Sequence, residues 1–238
     1  MSADARPRLL PAVMVLALAL VVSAGVLGLS FIQGRRAAGT VRVVGAATVP
    51  FTSDVVKWRV TLMRGVALGG EASGYARLAE DRERFLGLLA AAGVANEDIS
   101  VQPATTNPVW DRDGQQSGVQ IRQSFMVLSH DVAAVESLAL DPGDLLRDGL
   151  GLEGSNLEYF YEEMAELKHS LLRHAREDAQ ARAEEIAGDA LGSLVEARAG
   201  VFQIREPYST EVEGYGVYST STRAKEMTVT VHAVYGLR

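Results

Sequence analysis

Hydrophobic and polar positions divide this chain into one long apolar run and a remainder that alternates. From Leu9 to Ile32 there is no charged residue: LLPAVMVLALALVVSAGVLGLSFI lies between Arg6 and Arg8 on one side and Arg35 and Arg36 on the other. As a helix this run is roughly 36 Å long, against a hydrocarbon core of about 30 Å. It predicts a transmembrane signal anchor over 9–32, preceded by a short tail over 1–8 and followed by a small, basic linker over 33–40. Beyond the linker the period changes. Val41 to Pro50 reads as a strand, and Asp54 to Arg64 alternates with Val56, Trp58, Val60 and Leu62 on one face, the signal of a half-buried strand.

Glu71 to Ala92 switches to helical spacing. Tyr75, Leu78, Arg82, Phe85, Leu89 and Ala92 form its predicted stripe, Arg82 lying along it by its stem, and Gly93 stops it. Ile99–Val109 and Gly118–Ser129 read as a strand pair closed by a polar tip at Asp111–Gln116. His130 to Leu146 predicts a short helix with Asp131 as N-cap and an end at Pro142-Gly143. A short strand at Asn156–Tyr161 leads into the longest helix, about Glu162–Leu191. Its stripe is Met164, Leu167, Leu171, Ala175, Ala179, Ala183, Ile186 and Ala190, and its alanines permit close approach to a sheet. Strands at Ala197–Arg205 and Lys225–Gly236 close the chain around a long exposed loop, Glu206–Arg223. The expected architecture is α+β: a transmembrane helix, then one domain over 41–238 of antiparallel strands packed with two main helices.

The apolar run has a second reading. Arg6 and Arg8 make a positive n-region, and Val22-Ser23-Ala24 resembles a signal peptidase site. Cleavage there would release the domain, but it would leave GVLGLSFI at the new N-terminus. A signal core is also commonly only about 7–15 residues. Length therefore favours the retained anchor, single-pass with the short tail inside and the large domain outside, over secretion after cleavage.

Charge and composition narrow the function. The formal net charge is −7 although the flanks of the apolar run are basic. The rest of the chain is thus acidic, which disfavours nucleic acid as a partner. There is no cysteine, so no disulfide, thiolate metal site or thiol nucleophile.

Three stretches together resemble the SIMPL-domain family of bacterial extracytoplasmic proteins. The first is Val41-Arg42-Val43-Val44-Gly45 through Pro50, then Asp54 and the strand to Leu62. The second is the Ala175–Ala187 helix with Asp178-Ala179, Ala183-Glu184 and its Leu191-Gly192 stop. The third is the terminal strand Val229–Tyr235. At Pro50–Asp54 the chain departs from the tighter turn usual in the family. The resemblance implies an α+β fold, frequent self-association, export or membrane anchoring, and a loose link to stress defence. It implies no catalytic residues.

Candidate chemistry is sparse. Gly149-Leu150-Gly151-Leu152-Glu153-Gly154 matches G-x-G-x-x-G, but it lacks the preceding strand and following helix of a dinucleotide site and reads as a flexible turn. Asp111, Asp113 and Gly114 lack the remaining ligands of a calcium loop. His169 and His174 are five apart, on different helix faces, and a zinc pair needs four. Glu158, Glu162 and Glu163 read as an acidic approach to the long helix. No catalytic, cofactor or metal residues are therefore assigned. Tyr208, Tyr215 and Tyr218, among Ser and Gly in the long loop, are the candidate contacts for a protein partner. The expected function is non-enzymatic, through self-assembly into a homo-oligomer or partner binding. The alternative is an envelope enzyme or small-ligand binder whose site is assembled across the fold.

Overall fold

A computed structural model describes residues 9–35, 39–147, 149–210 and 213–238. The tail 1–8 and part of the linker, 36–38, lie outside the described residues. Helix α1 runs Leu9–Arg35. Its side chains are described over residues 13–28 and are exposed throughout. Within those described residues, no helix is long and apolar enough to cross a membrane.

The rest is α+β, built on two antiparallel sheets. Sheet I has the order β1-β9-β7, with β8 also on β9; β1 is Thr40–Thr52, β7 Leu191–Ala199, β8 Gln203–Arg205 and β9 Ala224–Leu237. Sheet II has the order β3-β5-β2-β6, with β4 also on β5; β2 is Val55–Ala67, β3 Ile99–Val101, β4 Thr105–Trp110, β5 Gln116–Ser129 and β6 Leu152–Phe160. Helix α2 (Glu71–Ala91) and the short α3 (Val132–Leu140) pack on sheet II, and α5 (Met164–Ala187) packs on sheet I. A one-turn helix, α4, spans Gly143–Arg147.

The alternation in β2 holds: Val56, Trp58, Val60 and Leu62 are fully buried. Period two sends them all to one face, where α2 supplies Leu78, Phe85 and Leu89. Phe85 meets Trp58 and Phe125 edge-on at ring separations of 5.7 and 5.0 Å. The Trp58 indole N–H donates to Ser155 Oγ at 2.8 Å, so the largest buried ring leaves no polar atom unpaired.

Helix α2 departs from its expected stripe. Its buried face is Gly74, Leu78, Asp81, Phe85 and Leu89; Tyr75 is exposed and Arg82 half-buried. The charge on the buried face is Asp81, held by Nε and Nη2 of Arg64 from β2. Pairing across to another element lets a carboxylate occupy a helix face that periodicity assigns to apolar residues.

The long helix also ends early. It stops at Ala187, where Gly188 takes φ +52°, and a 3-10 turn leads directly into β7. Leu171, Ala175, Ala179 and Ala183 are buried, but Ile186 is 67% exposed and Ala190 exposed. On the helical wheel Ile186 falls between Ala175 and Ala179, so it shares their face; it is exposed because it lies in the last turn of α5, past the buried series. Expected single elements are interrupted elsewhere. The 99–109 strand breaks around Pro103 into β3 and β4. The 130–146 helix breaks at Asp141-Pro142 into α3 and α4, with Asp131 capping α3 through Ala134 N–H at 3.0 Å. The 197–205 strand breaks at Gly200–Phe202 into β7 and β8. Gly151 is not in a flexible turn. It sits against the Met63 carbonyl, where a Cβ would come within 2.1 Å, and β6 starts at the next residue.

The motif residues of β1 and α5 meet in space. A Cβ at Gly45 would fall 2.2 Å from the Ala175 carbonyl oxygen and 2.4 Å from the Ala179 nitrogen. The missing side chain lets the helix backbone lie on the strand, with only the methyls of Ala175 and Ala179 between layers. Asp178 Oδ2 accepts the Ala46 N–H at 2.8 Å and Arg182 Nε at 2.9 Å. Its carboxyl is held below its ordinary range by these two bonds, the backbone one first.

Candidate functional site

The most densely organised polar region lies where the two sheets join, beneath the loop that carries the three tyrosines. The chain crosses from sheet I to sheet II at Ser53-Asp54. Ser53 N–H donates to the Arg223 carbonyl at 2.9 Å, and Asp54 N–H to the Phe160 carbonyl at 3.1 Å. Asp54 Oδ1 in turn accepts Glu162 N–H at 3.0 Å. The end of β6, the start of β9 and the β1–β2 crossing are thereby stitched together.

Lys225 is the centre of this junction. It is only 1% exposed, and its Nζ donates to the Tyr159 carbonyl. The Tyr218 ring lies 5.9 Å from the ammonium, a cation–π distance. Burial pushes the amine down to about 8, and the nearby charge of Glu206 opposes that fall. Glu206 Oε1 accepts the hydroxyls of Ser219 and Ser221, which together lower its carboxyl to about 2. Tyr159 donates its phenol to Glu136 Oε1 at 2.8 Å, and Arg223 reaches Glu136 Oε2 at 3.2 Å. Burial, then that carboxylate, raises the Tyr159 phenol to about 12.

The three predicted tyrosines do not form one group. Tyr208 is 93% exposed and holds a positive φ of 65°; Tyr215 is fully exposed. Tyr218 is 46% exposed and belongs to the junction, its ring stacked on Phe160 at 6.3 Å and 30°. The loop around it is fixed. Ile204 N–H donates to the Val217 carbonyl and Ser219 N–H to the Ile204 carbonyl, at 2.8 and 2.9 Å, so Tyr218 bridges β8 in parallel. Gln203 ties both sides of the tip, Nε2 to the Glu213 carbonyl at 2.8 Å and Oε1 from Val217 N–H at 2.9 Å. Tyr159 N–H donates to the Thr220 carbonyl at 2.8 Å. The expectation of an exposed loop holds for Tyr208 and Tyr215 and is corrected for 217–223, which is part of the framework. Glu206, Lys225 and Glu136 were invisible as a set because they are far apart in sequence. The one local signal is a lysine placed in phase with the inward residues Met227, Val229 and Val231 of β9.

A second region is the outer face of sheet I, opposite α5. The register places Arg42, Val44, Thr48, Thr228, Thr230, His232, Glu196 and Arg198 on that side. A shallow groove of about 540 Å³ runs over Arg42, Val44, His232 and Arg198. No helix packs there among the described residues; α5 contacts β1 and β9 from the other side.

Residues 41–235 match the model of the SIMPL family, described as a protein of unknown function (DUF541). No curated protein matches the chain.

Proposed function

The chain belongs to the SIMPL family, and from that premise we propose that it is a non-enzymatic, membrane-anchored extracytoplasmic protein that works by self-assembly or by binding a protein partner. The observation that carries this reading is the uncovered outer face of sheet I. Antiparallel sheets bury one face on a helix and can leave the other to solvent. Here the solvent side mixes Val44, Thr228, Thr230 and His232 with a few charges, and the exposed apolar residues Val195 and Val201 lie along its border. Such a surface suits protein contact better than an enclosed reaction. The apolar sequence of α1 supports the anchor, which would hold the domain at an inner membrane on its outer side. The link to envelope or oxidative stress defence rests on the family resemblance.

A small-ligand reading draws on the groove over Arg42, His232 and Arg198, which presents two guanidinium groups to an anion. Arg198 is already engaged by Glu196 at 2.6 Å, and the groove is shallow, so we favour assembly.

The test uses the full chain expressed in a bacterium. After alkaline carbonate extraction it should remain in the membrane pellet, with its N-terminus upstream of residue 9. In detergent it should sediment as more than a monomer, or retain a partner on pull-down. A soluble product starting at Gly25 would remove the anchor. A monomer that retains nothing would remove the assembly reading.

A further inference from the structure

An antiparallel edge strand turns the N–H and C=O of every second residue away from its neighbour, ready for another strand. In this protein several such edges are partly occupied or blunted. Leu237 N–H donates to the Gly39 carbonyl, so the odd residues of β1 face β9 and the even ones face outward. Of those, Ala46 N–H is taken by Asp178, and Pro50 has no N–H to offer. The outer edge of β8 is covered by Val217 and Ser219, and the Tyr159 N–H of β6 is taken by Thr220.

Strand β7 also presents an open edge, and its sequence there is self-complementary. Gly200 N–H donates to the Thr230 carbonyl, and the register is continuous from Glu196 to Ala199. Residues 196, 198 and 200 therefore bond to β9, while Ala197 and Ala199 turn their main-chain groups outward. Among the described residues no hydrogen bond reaches that edge. Ala197 and Ala199 lie opposite the buried Ala233 and Val231, on the side of the sheet where α5 packs, yet both are exposed. The helix covers β1 and β9 and barely reaches β7. Leu194, opposite Tyr235, continues this uncovered apolar shelf.

We propose that β7 pairs antiparallel with β7 of a second copy about a two-fold axis through Ala197. This rests on the assembly reading and specifies its contact. In that register Ala197 faces its own counterpart, so residues with outward main-chain groups meet at the axis. Glu196 then stands across from Arg198 of the other copy at both ends of the axis. The charge order Glu-Ala-Arg is self-complementary when read antiparallel, which selects a second copy over an unrelated strand. Moving the axis to residue 196 or 198 would oppose Glu to Glu or Arg to Arg, and would oppose residues whose main-chain groups are already bonded to β9. The internal Arg198–Glu196 pair, 2.6 Å apart, becomes half of a four-charge network. Anchoring both copies in one membrane raises their effective concentration, so a short pairing suffices.

The chain has no cysteine, so introduced thiols report without background. The full chain in native membranes is given a mild oxidant. Ala197→Cys should form a disulfide-linked dimer, because directly opposed residues have Cα atoms about 5.5 Å apart, within disulfide reach. Ala199→Cys alone should not. Glu196→Arg and Arg198→Glu should each weaken association of the detergent-solubilised chain at least tenfold, and the double swap should restore it. A chain that is oligomeric but shows no preference for position 197 would overturn the β7 contact and leave assembly standing. A chain monomeric in the membrane would overturn both. Association unchanged by either single charge reversal would also overturn the register.

Discussion

At the scale of a residue, Lys225 is the most consequential group, because its charge is buried and its pKa lies near working pH. Its amine falls from the usual lysine value to about 8 in the folded protein. Between pH 8 and the unfolded value near 10.5, the unfolded chain holds a proton that the folded chain has released. Stability therefore rises with pH across that window, and the buried cation is a standing cost below it. Tyr159 acts in the opposite sense above pH 10. With its phenol raised to about 12, the unfolded state ionises first and stability is lost there. The contribution of Lys225 is thus read between pH 8 and 10. The unfolding free energy of the native chain minus that of Lys225→Met should climb through this interval, with a slope approaching about 1.4 kcal/mol per pH unit. A flat difference in chemical denaturation would show that the amine does not change charge on folding. Glu206 makes a converse prediction. Its carboxyl is lowered to about 2, so its stabilisation is complete above the unfolded value near 4.5 and fades as pH falls toward 2. Replacing Ser219 and Ser221 together by Ala should raise that pKa and move acid unfolding to higher pH, as followed by circular dichroism.

At the scale of an element, helix α5 shows how much the pattern disclosed. The alanines at 175, 179 and 183 announced a close approach to a sheet, and Gly45 is where the approach is closest. The resemblance motif is thereby explained as packing. Glycine gives room, alanines fill it, and Asp178 takes the strand's free N–H at Ala46. Gly45→Ala forces a Cβ against helix backbone that cannot yield locally. It should cost about 1–3 kcal/mol, in the range of overpacked cores, or prevent folding. Ile186 misled because it shares the angular face of Ala175 and Ala179 but lies in the last turn of α5, past the buried series. Ile186→Ala should stay within about 0.5 kcal/mol, whereas Leu171→Ala should cost about 2–5 kcal/mol. Denaturant titrations of both variants check the assignment, and equal losses would contradict the exposure of Ile186. The period-two strands β2, β5 and β9 were legible for the same reason that β7 was not. Their inward side chains are apolar and buried, whereas β7 is exposed along its length and bulged between Leu191 and Glu196. A strand without a buried face leaves no alternation to read, and its first residue, Leu191, was read as the end of the preceding helix.

At the scale of the whole molecule, the question is whether the two sheets behave as one body. Each has its own core: Trp58, Phe85 and Phe125 for sheet II, and Leu171, Met227 and Val229 for sheet I. What spans them is mainly polar and runs through the loop. Ser53 bonds Arg223, Tyr159 bonds Thr220, Lys225 bonds the Tyr159 carbonyl, and Arg223 bonds Glu136. Tyr218 adds the stacked contact with Phe160. Such links form only when both halves are folded, so they convert two local stabilities into one cooperative transition. The loop therefore has two parts with different expected responses. Tyr208→Ser with Tyr215→Ser removes only exposed rings and should leave the unfolding midpoint unchanged within about 0.5 kcal/mol. Any loss of partner capture in that variant would then be a direct effect on binding. Tyr218→Ala with Glu206→Ala removes the ring and the carboxylate beside Lys225. It should separate calorimetric unfolding into two transitions, with amide exchange in one sheet no longer tracking the other. If the variant still unfolds in one step at a uniformly lower midpoint, the sheets are coupled through the β1–β2 crossing at Ser53-Asp54, and the loop is an ornament on a body already joined beneath it.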